Sequence, residues 1–166
     1  DLCRAFGKPL LVDAAHGAHF PAVGLPAPIQ EGADIAVLSM HKTLPCLGQG
    51  AVVLSGERVD KRSLRENTAL FGTSSPSYPI MASIDLARAY TEGPGRAAYH
   101  RSAETCRELR EYITRRTGFT ALSEAQYPAL DPCRLTVCTA GTDTTGHRLA
   151  DMLWSEYGVA CEMADE

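Results

Sequence analysis

The side chains best suited to chemistry in this 166-residue chain stand where short apolar runs end. Lys8-Pro9-Leu10-Leu11-Val12 runs into Asp13, and Ala14-Ala15-His16-Gly17-Ala18-His19 follows at once. Ala33-Asp34-Ile35-Ala36-Val37-Leu38 runs into Ser39-Met40-His41-Lys42-Thr43. A third polar group, Thr73-Ser74-Ser75-Pro76, closes a segment of helical spacing. A carboxylate at the mouth of a buried strand is costly unless a cation meets it. A lysine amine in a similar place is a nucleophile toward carbonyl compounds.

A lysine and an aspartate set at strand ends have one well-known joint use, with pyridoxal phosphate. The amine forms a Schiff base, and the carboxylate keeps the pyridine nitrogen protonated so that the ring acts as an electron sink. Each residue also has a plainer reading: Lys42 as a surface lysine, Asp13 as a turn or N-cap aspartate, His16 and His19 as structural histidines. Lysine is scarce, however, with only Lys8, Lys42 and Lys61 beside thirteen arginines. The Asp13-x-x-His16-x-x-His19 spacing invites a metal reading, but residues three apart on an extended segment point to opposite faces. With no further ligand in view, no metal is expected. The hydroxyls and amides of Thr73-Ser74-Ser75 suit either a phosphate cradle or a cap for the next helix. Gly48-Gln49-Gly50 reads as a turn.

These residues need elements to position them. The runs ending at Asp13 and at Ser39, and a third over Gly50–Leu54, predict strands buried on both faces of a sheet. The segment between the first two is long enough for a crossover, so those strands are expected to be parallel, although Pro21, Pro26 and Pro28 leave room for only a short helix. Parallel neighbours about 4.8 Å apart bring Asp13 and Lys42 to one edge, where ligands of open α/β sheets bind. Helices are predicted at Glu57–Leu70 and Tyr78–Thr91. After a Gly93-Pro94-Gly95 break a long helix is expected over Arg96–Thr117, with Ala103, Cys106, Leu109 and Ile113 on its buried side. Beyond Gly118 the pattern predicts a strand at Arg134–Thr139, a helix at His147–Tyr157 and a strand-like segment at Val159–Met163. The domain reading is therefore 1–93 as one α/β body, 94–118 as a linking helix and 119–166 as the start of a small α+β domain. Asp1 to Gly7 reads as the last turns of a helix closed by glycine, so the chain is expected to be an internal piece of a longer polypeptide.

Composition sets the class. The chain is 45% hydrophobic and 22% charged, with a formal charge of −4. There is no basic run to hold nucleic acid or an anionic membrane, and neither a membrane span nor a signal peptide is expected. Six cysteines without paired spacing predict reduced, mostly buried thiols and a cytoplasmic setting.

Taken in order, Leu11-Val12-Asp13-Ala14-Ala15-His16-Gly17-Ala18-His19-Phe20, Gly32-Ala33-Asp34, Ser39-Met40-His41-Lys42-Thr43-Leu44-Pro45, Thr73-Ser74-Ser75-Pro76-Ser77-Tyr78 and Met81-Ala82-Ser83-Ile84-Asp85-Leu86-Ala87-Arg88 closely resemble the bacterial ornithine/lysine/arginine decarboxylase family. The resemblance spans roughly the first half of the chain. It implies the aspartate-aminotransferase-like fold (fold type I) of pyridoxal-phosphate enzymes: the C-terminal part of the large domain, then the start of a small α+β domain. Lys42 is then the lysine that holds the cofactor, and Asp13 sits on its pyridine nitrogen. Ala15 packs under the ring, His16 bonds the phenolic oxygen, and Ser39 and His41 contact the phosphate. Thr73 or Ser74 reaches the phosphate in a neighbouring subunit, so a homodimer is implied. The implied activity is decarboxylation of arginine, lysine or ornithine to a polyamine or its precursor, with Lys42 or His41 handling a proton. Ala14 departs from the glutamate many members carry there, and the main phosphate loop and the ring-stacking residue should precede Asp1. Another fold type I enzyme, such as an aminotransferase or acyltransferase, and a non-catalytic dimerising domain remain the alternatives.

Overall fold

The computed structural model describes residues 2–165, in two compact units, Asp1–His100 and Arg101–Glu166. In the first unit, α1 (Leu2–Ala5) ends as glycine closure predicts: Gly7 takes φ +61° and the Lys8 amide donates to the Cys3 carbonyl at 2.8 Å. Asp1, included in that expectation, lies outside the described residues. Strand β1 (Leu11–Asp13) pairs in parallel with β2 (Ile35–Leu38), Leu11 opposite Ile35 and Asp13 opposite Val37. Between them the chain makes turns and a 3-10 helix at Phe20–Val23, stopped by Gly24 at φ +82°. The short helix α2 (Met40–Thr43) follows β2, and β3 (Val52–Ser55) returns antiparallel to it. The order is β1-β2-β3.

The strands are not buried on both faces. Ala36 and Leu38 are buried, and Leu38 joins Met40, Leu44 and Ala87 in a core against which Ile84, Val52 and Tyr99 pack. On the opposite face Leu11 is 63% and Val37 42% exposed, with Val53 also in solvent. A continuous apolar run suits a strand covered on one side or two, and here only the Ala36–Leu38 side is covered among the described residues.

Helix α3 (Lys61–Phe71) starts four residues later than its spacing predicts, because the Asp60 carboxylate accepts from the Arg62 and Ser63 amides and fixes the start there. Helix α4 covers Tyr78–Glu92, and α5, the long helix, Gly95–Arg116.

In the second unit β4 (Thr120–Ala121) pairs antiparallel with β5 (Val137–Cys138), and α6 runs from Gly146 to Tyr157. The strand expected over 134–139 is thus two residues long, and 159–163 forms no strand. The inner side of α5 differs too: Ala103 is buried, but Leu109 is 42% exposed and Arg110 only 5%. The Arg110 Nη2 donates to the carbonyls of Asp131, Pro132 and Arg134, holding that segment as irregular backbone instead of strand. Hydropathy scores arginine as polar and misses a buried guanidinium that caps carbonyls. None of the six cysteines forms a disulfide; Cys161 is exposed and the others half-buried, less enclosed than their apolar contexts suggest. Among the described residues no helix is long and apolar enough to cross a membrane.

Candidate functional site

Two arms leave the C-terminal edge of the parallel pair. The first begins at Asp13, where the Ala14 amide still donates to the Val37 carbonyl at 2.9 Å and carries the ladder one residue further. The Asp13 Oδ1 then accepts the Ala15 amide at 3.0 Å, bending the chain away from the strand direction. Gly17 completes the turn, its amide donating to the Ala14 carbonyl at 2.8 Å; a Cβ there would sit 3.1 Å from the Phe20 ring. Strand geometry would send Asp13 and His16 to opposite faces, and this turn brings His16 back over the sheet edge.

The second arm begins at Ser39, which occupies the N-cap of α2 without a side-chain cap bond. Its amide donates to the Ala15 carbonyl at 3.3 Å, so the two arms are tied at their roots. One turn of helix then carries Lys42 toward the first arm, and its Nζ stands 3.3 Å from His16 Nε2. His41 is anchored differently. Its backbone amide and its Nδ1 both reach the Gly50 carbonyl, at 3.1 and 2.9 Å. A carbonyl only accepts, so Nδ1 carries the ring proton.

The structure therefore gathers Asp13, Ala15, His16, Ser39, His41 and Lys42 on two linked arms at one sheet edge. Thr73 and Ser74 lie elsewhere, on the exposed loop between α3 and α4, where the Thr73 hydroxyl accepts the Ser75 amide at 3.1 Å. Among the described residues neither is bonded to the two arms. Asp13, His16 and His19 do not converge as ligands: His16 meets Lys42, while His19 is buried, with its ring 5.2 Å from that of Phe20 and 5.9 Å from that of Tyr99.

Two supporting residues escaped the sequence reading. Gly50, read there as a turn residue, supplies the carbonyl that orients His41, and a Cβ would approach Cys46 Sγ to 2.7 Å. Its partner is a histidine nine residues earlier, and no spacing rule links the two. Asp34 belongs to a recognised motif, but its part is structural. At the other end of β2 its buried carboxylate accepts the Leu10 amide at 2.8 Å and both Nε and Nη2 of Arg58 at 2.8 Å. The Leu10 amide, followed by Arg58, holds this carboxyl below the usual aspartate range despite its burial. The clamp ties the start of β1 to the segment leaving β3, and so keeps the strands in the register that aligns the two arms.

Residues 1–128 match the model of the Orn/Lys/Arg decarboxylase major domain. The chain belongs to the Orn/Lys/Arg decarboxylase family. Among curated relatives, the uncharacterized protein YaaO of Bacillus subtilis is 36% identical over 97% of this chain and 34% of its own length. The arginine decarboxylase of the same organism is 29% identical over 99% of this chain and 35% of its own. The chain thus spans about a third of the length of these relatives. The lysine decarboxylase of Francisella novicida shares the fold, with a TM-score of 0.66 at 21% identity over 93% of this chain and 28% of that structure.

Proposed function

We propose that the full-length protein is a pyridoxal-phosphate-dependent decarboxylase of a basic amino acid, arginine, lysine or ornithine, built on the aspartate-aminotransferase-like fold, and that the residues of this chain form one side of its cofactor site. The observation that carries the reading is the 3.3 Å approach of the Lys42 amine to His16, on arms from two adjacent parallel strands, in a chain of this family. The donor set suits the cofactor. Lys42 offers a primary amine, and Asp13 keeps an oxygen beyond the one bonded to Ala15. The Ser39 hydroxyl is not spent on capping α2.

When bound, the cofactor supplies a conjugated ring that takes up the electron pair left as carbon dioxide departs. Lys42 would hold the cofactor through its primary amine. Asp13 holds a proton on the pyridine nitrogen. As the family resemblance implies, Ala15 would pack under the ring, His16 would hydrogen-bond the phenolic oxygen, and Ser39 and His41 would contact the phosphate. Lys42 or His41 would handle a proton, and of the two the Lys42 amine is the one not also assigned to the phosphate. Thr73 and Ser74 serve a second subunit, so the working form is a homodimer or larger.

The test is direct. Full-length protein incubated with pyridoxal phosphate is expected to show a visible band that borohydride fixes onto the peptide carrying Lys42, and to release carbon dioxide from one of the three basic amino acids. In Lys42→Ala both should vanish. A band fixed on another lysine would overturn the site, and transamination without carbon dioxide release would overturn the reaction. Neither band nor turnover would point to a non-catalytic relative.

A further inference from the structure

We propose that Tyr99 is a positioning residue that sets the approach of Lys42 to His16 by bracing both arms at once; this rests on the reading of Lys42 given above. Tyr99 lies near the start of α5, in the same compact unit as the arms, and packs against the core of Leu38, Met40, Leu44 and Ala87. Its hydroxyl donates to the Thr43 carbonyl at 2.7 Å. Thr43 follows Lys42 directly and ends α2, a helix of four residues. A single turn does not sustain itself, and its last carbonyls have no partner within the helix. The Tyr99 hydroxyl takes up one of those carbonyls, the one adjoining the lysine.

The same ring touches the other arm. It stacks on His19 with centroids 5.9 Å apart and planes at 25°. His19 lies three residues beyond His16, in the turn closed by the Gly17–Ala14 and Phe20–Gly17 backbone bonds. One side chain thus joins the end of the lysine arm to the end of the histidine arm, and the 3.3 Å Lys42–His16 approach lies between the two braced segments. The Ser39–Ala15 bond ties the arms at their roots and Tyr99 at their far ends, leaving the reactive pair little freedom to part. Filling space would require the ring alone; a role in positioning requires the hydroxyl as well.

Tyr99→Phe keeps the ring and the stack and removes only the hydrogen bond. In full-length protein without cofactor, the pH dependence of Lys42 acylation, read by mass spectrometry, reports the surroundings of its amine, where His16 stands at 3.3 Å. Tyr99→Phe is expected to move the midpoint of that profile by about half a pH unit or more. With cofactor bound it is expected to lower kcat about tenfold with a smaller change in KM. Tyr112→Phe, at an exposed site on α5, should match wild type in both. His19→Ala removes the stack, leaves the hydroxyl bond, and is expected to shift the same profile; it carries the test if Tyr99→Phe does not fold. An acylation profile unchanged in the folded variant overturns the proposal. Because that measurement uses no cofactor, it is independent of whether Lys42 forms the borohydride-fixed adduct, on which the proposed function stands or falls.

Discussion

The His16 Nε2 lies 3.3 Å from the Lys42 Nζ, so each is within hydrogen-bond reach of the other. On the proposed function, replacing His16 by alanine in the full-length protein is expected to lower kcat by about 10²-fold, the lower end of what a positioned acid–base or orienting group contributes. The protein should still bind cofactor, and a visible band of normal intensity checks this. A band lost together with the activity would show instead that His16 is needed for cofactor binding. That Asp13 and Lys42 stand at one sheet edge was legible in the sequence, because each follows an apolar run that forms a strand of the parallel pair; His16 was assigned to the site only through the family resemblance. Gly50, Tyr99 and Arg110 were not legible. Their contributions are a carbonyl, a hydroxyl reaching Thr43 from 56 positions away, and a guanidinium bonded to backbone 21 to 24 positions away. Contacts at such separations follow from the tertiary fold and leave no local pattern.

At the scale of elements, what holds each one decided how well it could be read. Helix α4 was read to within one residue of its end, since Pro79 marks its first turn and Gly93 its stop. For α3 the charge spacing begins before the helix does, and only the Asp60 side chain shows where the first turn lies. None of the α3 residues is buried, so the helix depends on this cap and on exposed pairs such as Arg62–Glu66 at 2.8 Å. Asp60→Ala is therefore expected to destabilise α3 by about 1 kcal/mol. Hydrogen exchange should show faster exchange over the first turns of α3 and unchanged protection in β2; a matching loss in both would mean that α3 unfolds only with the sheet. The strand near residue 134 was overread for the converse reason: its apolar alternation is real, but Arg110 takes the preceding carbonyls out of any ladder.

For the molecule as a whole, the Asp34 clamp makes stability depend on pH. The folded carboxyl is held below its ordinary value of 3.8, so its contribution is complete above that value and fades as pH falls through it and below. Asp34→Asn should lower the urea midpoint at pH 7, and the gap from wild type should close as pH drops below about 4. A gap constant with pH would show that shape, not charge, accounts for the loss. The α/β class and the parallel pairing of β1 and β2 were legible from the apolar runs and the length between them. The open face was not, because hydropathy records that a strand is apolar and says nothing of how many neighbours it has. The three-stranded order has a further consequence for handling the chain. Among the described residues β1 and β3 are the outer strands, and each offers one rim of backbone groups to any extended peptide that drifts alongside. Lys8 and Pro9 blunt the approach to β1 with a charge and a missing amide hydrogen. Val52-Val53-Leu54 carries neither safeguard, so self-association by lateral zippering would begin at that rim, and a charged residue at position 53 is the simplest gatekeeper against it.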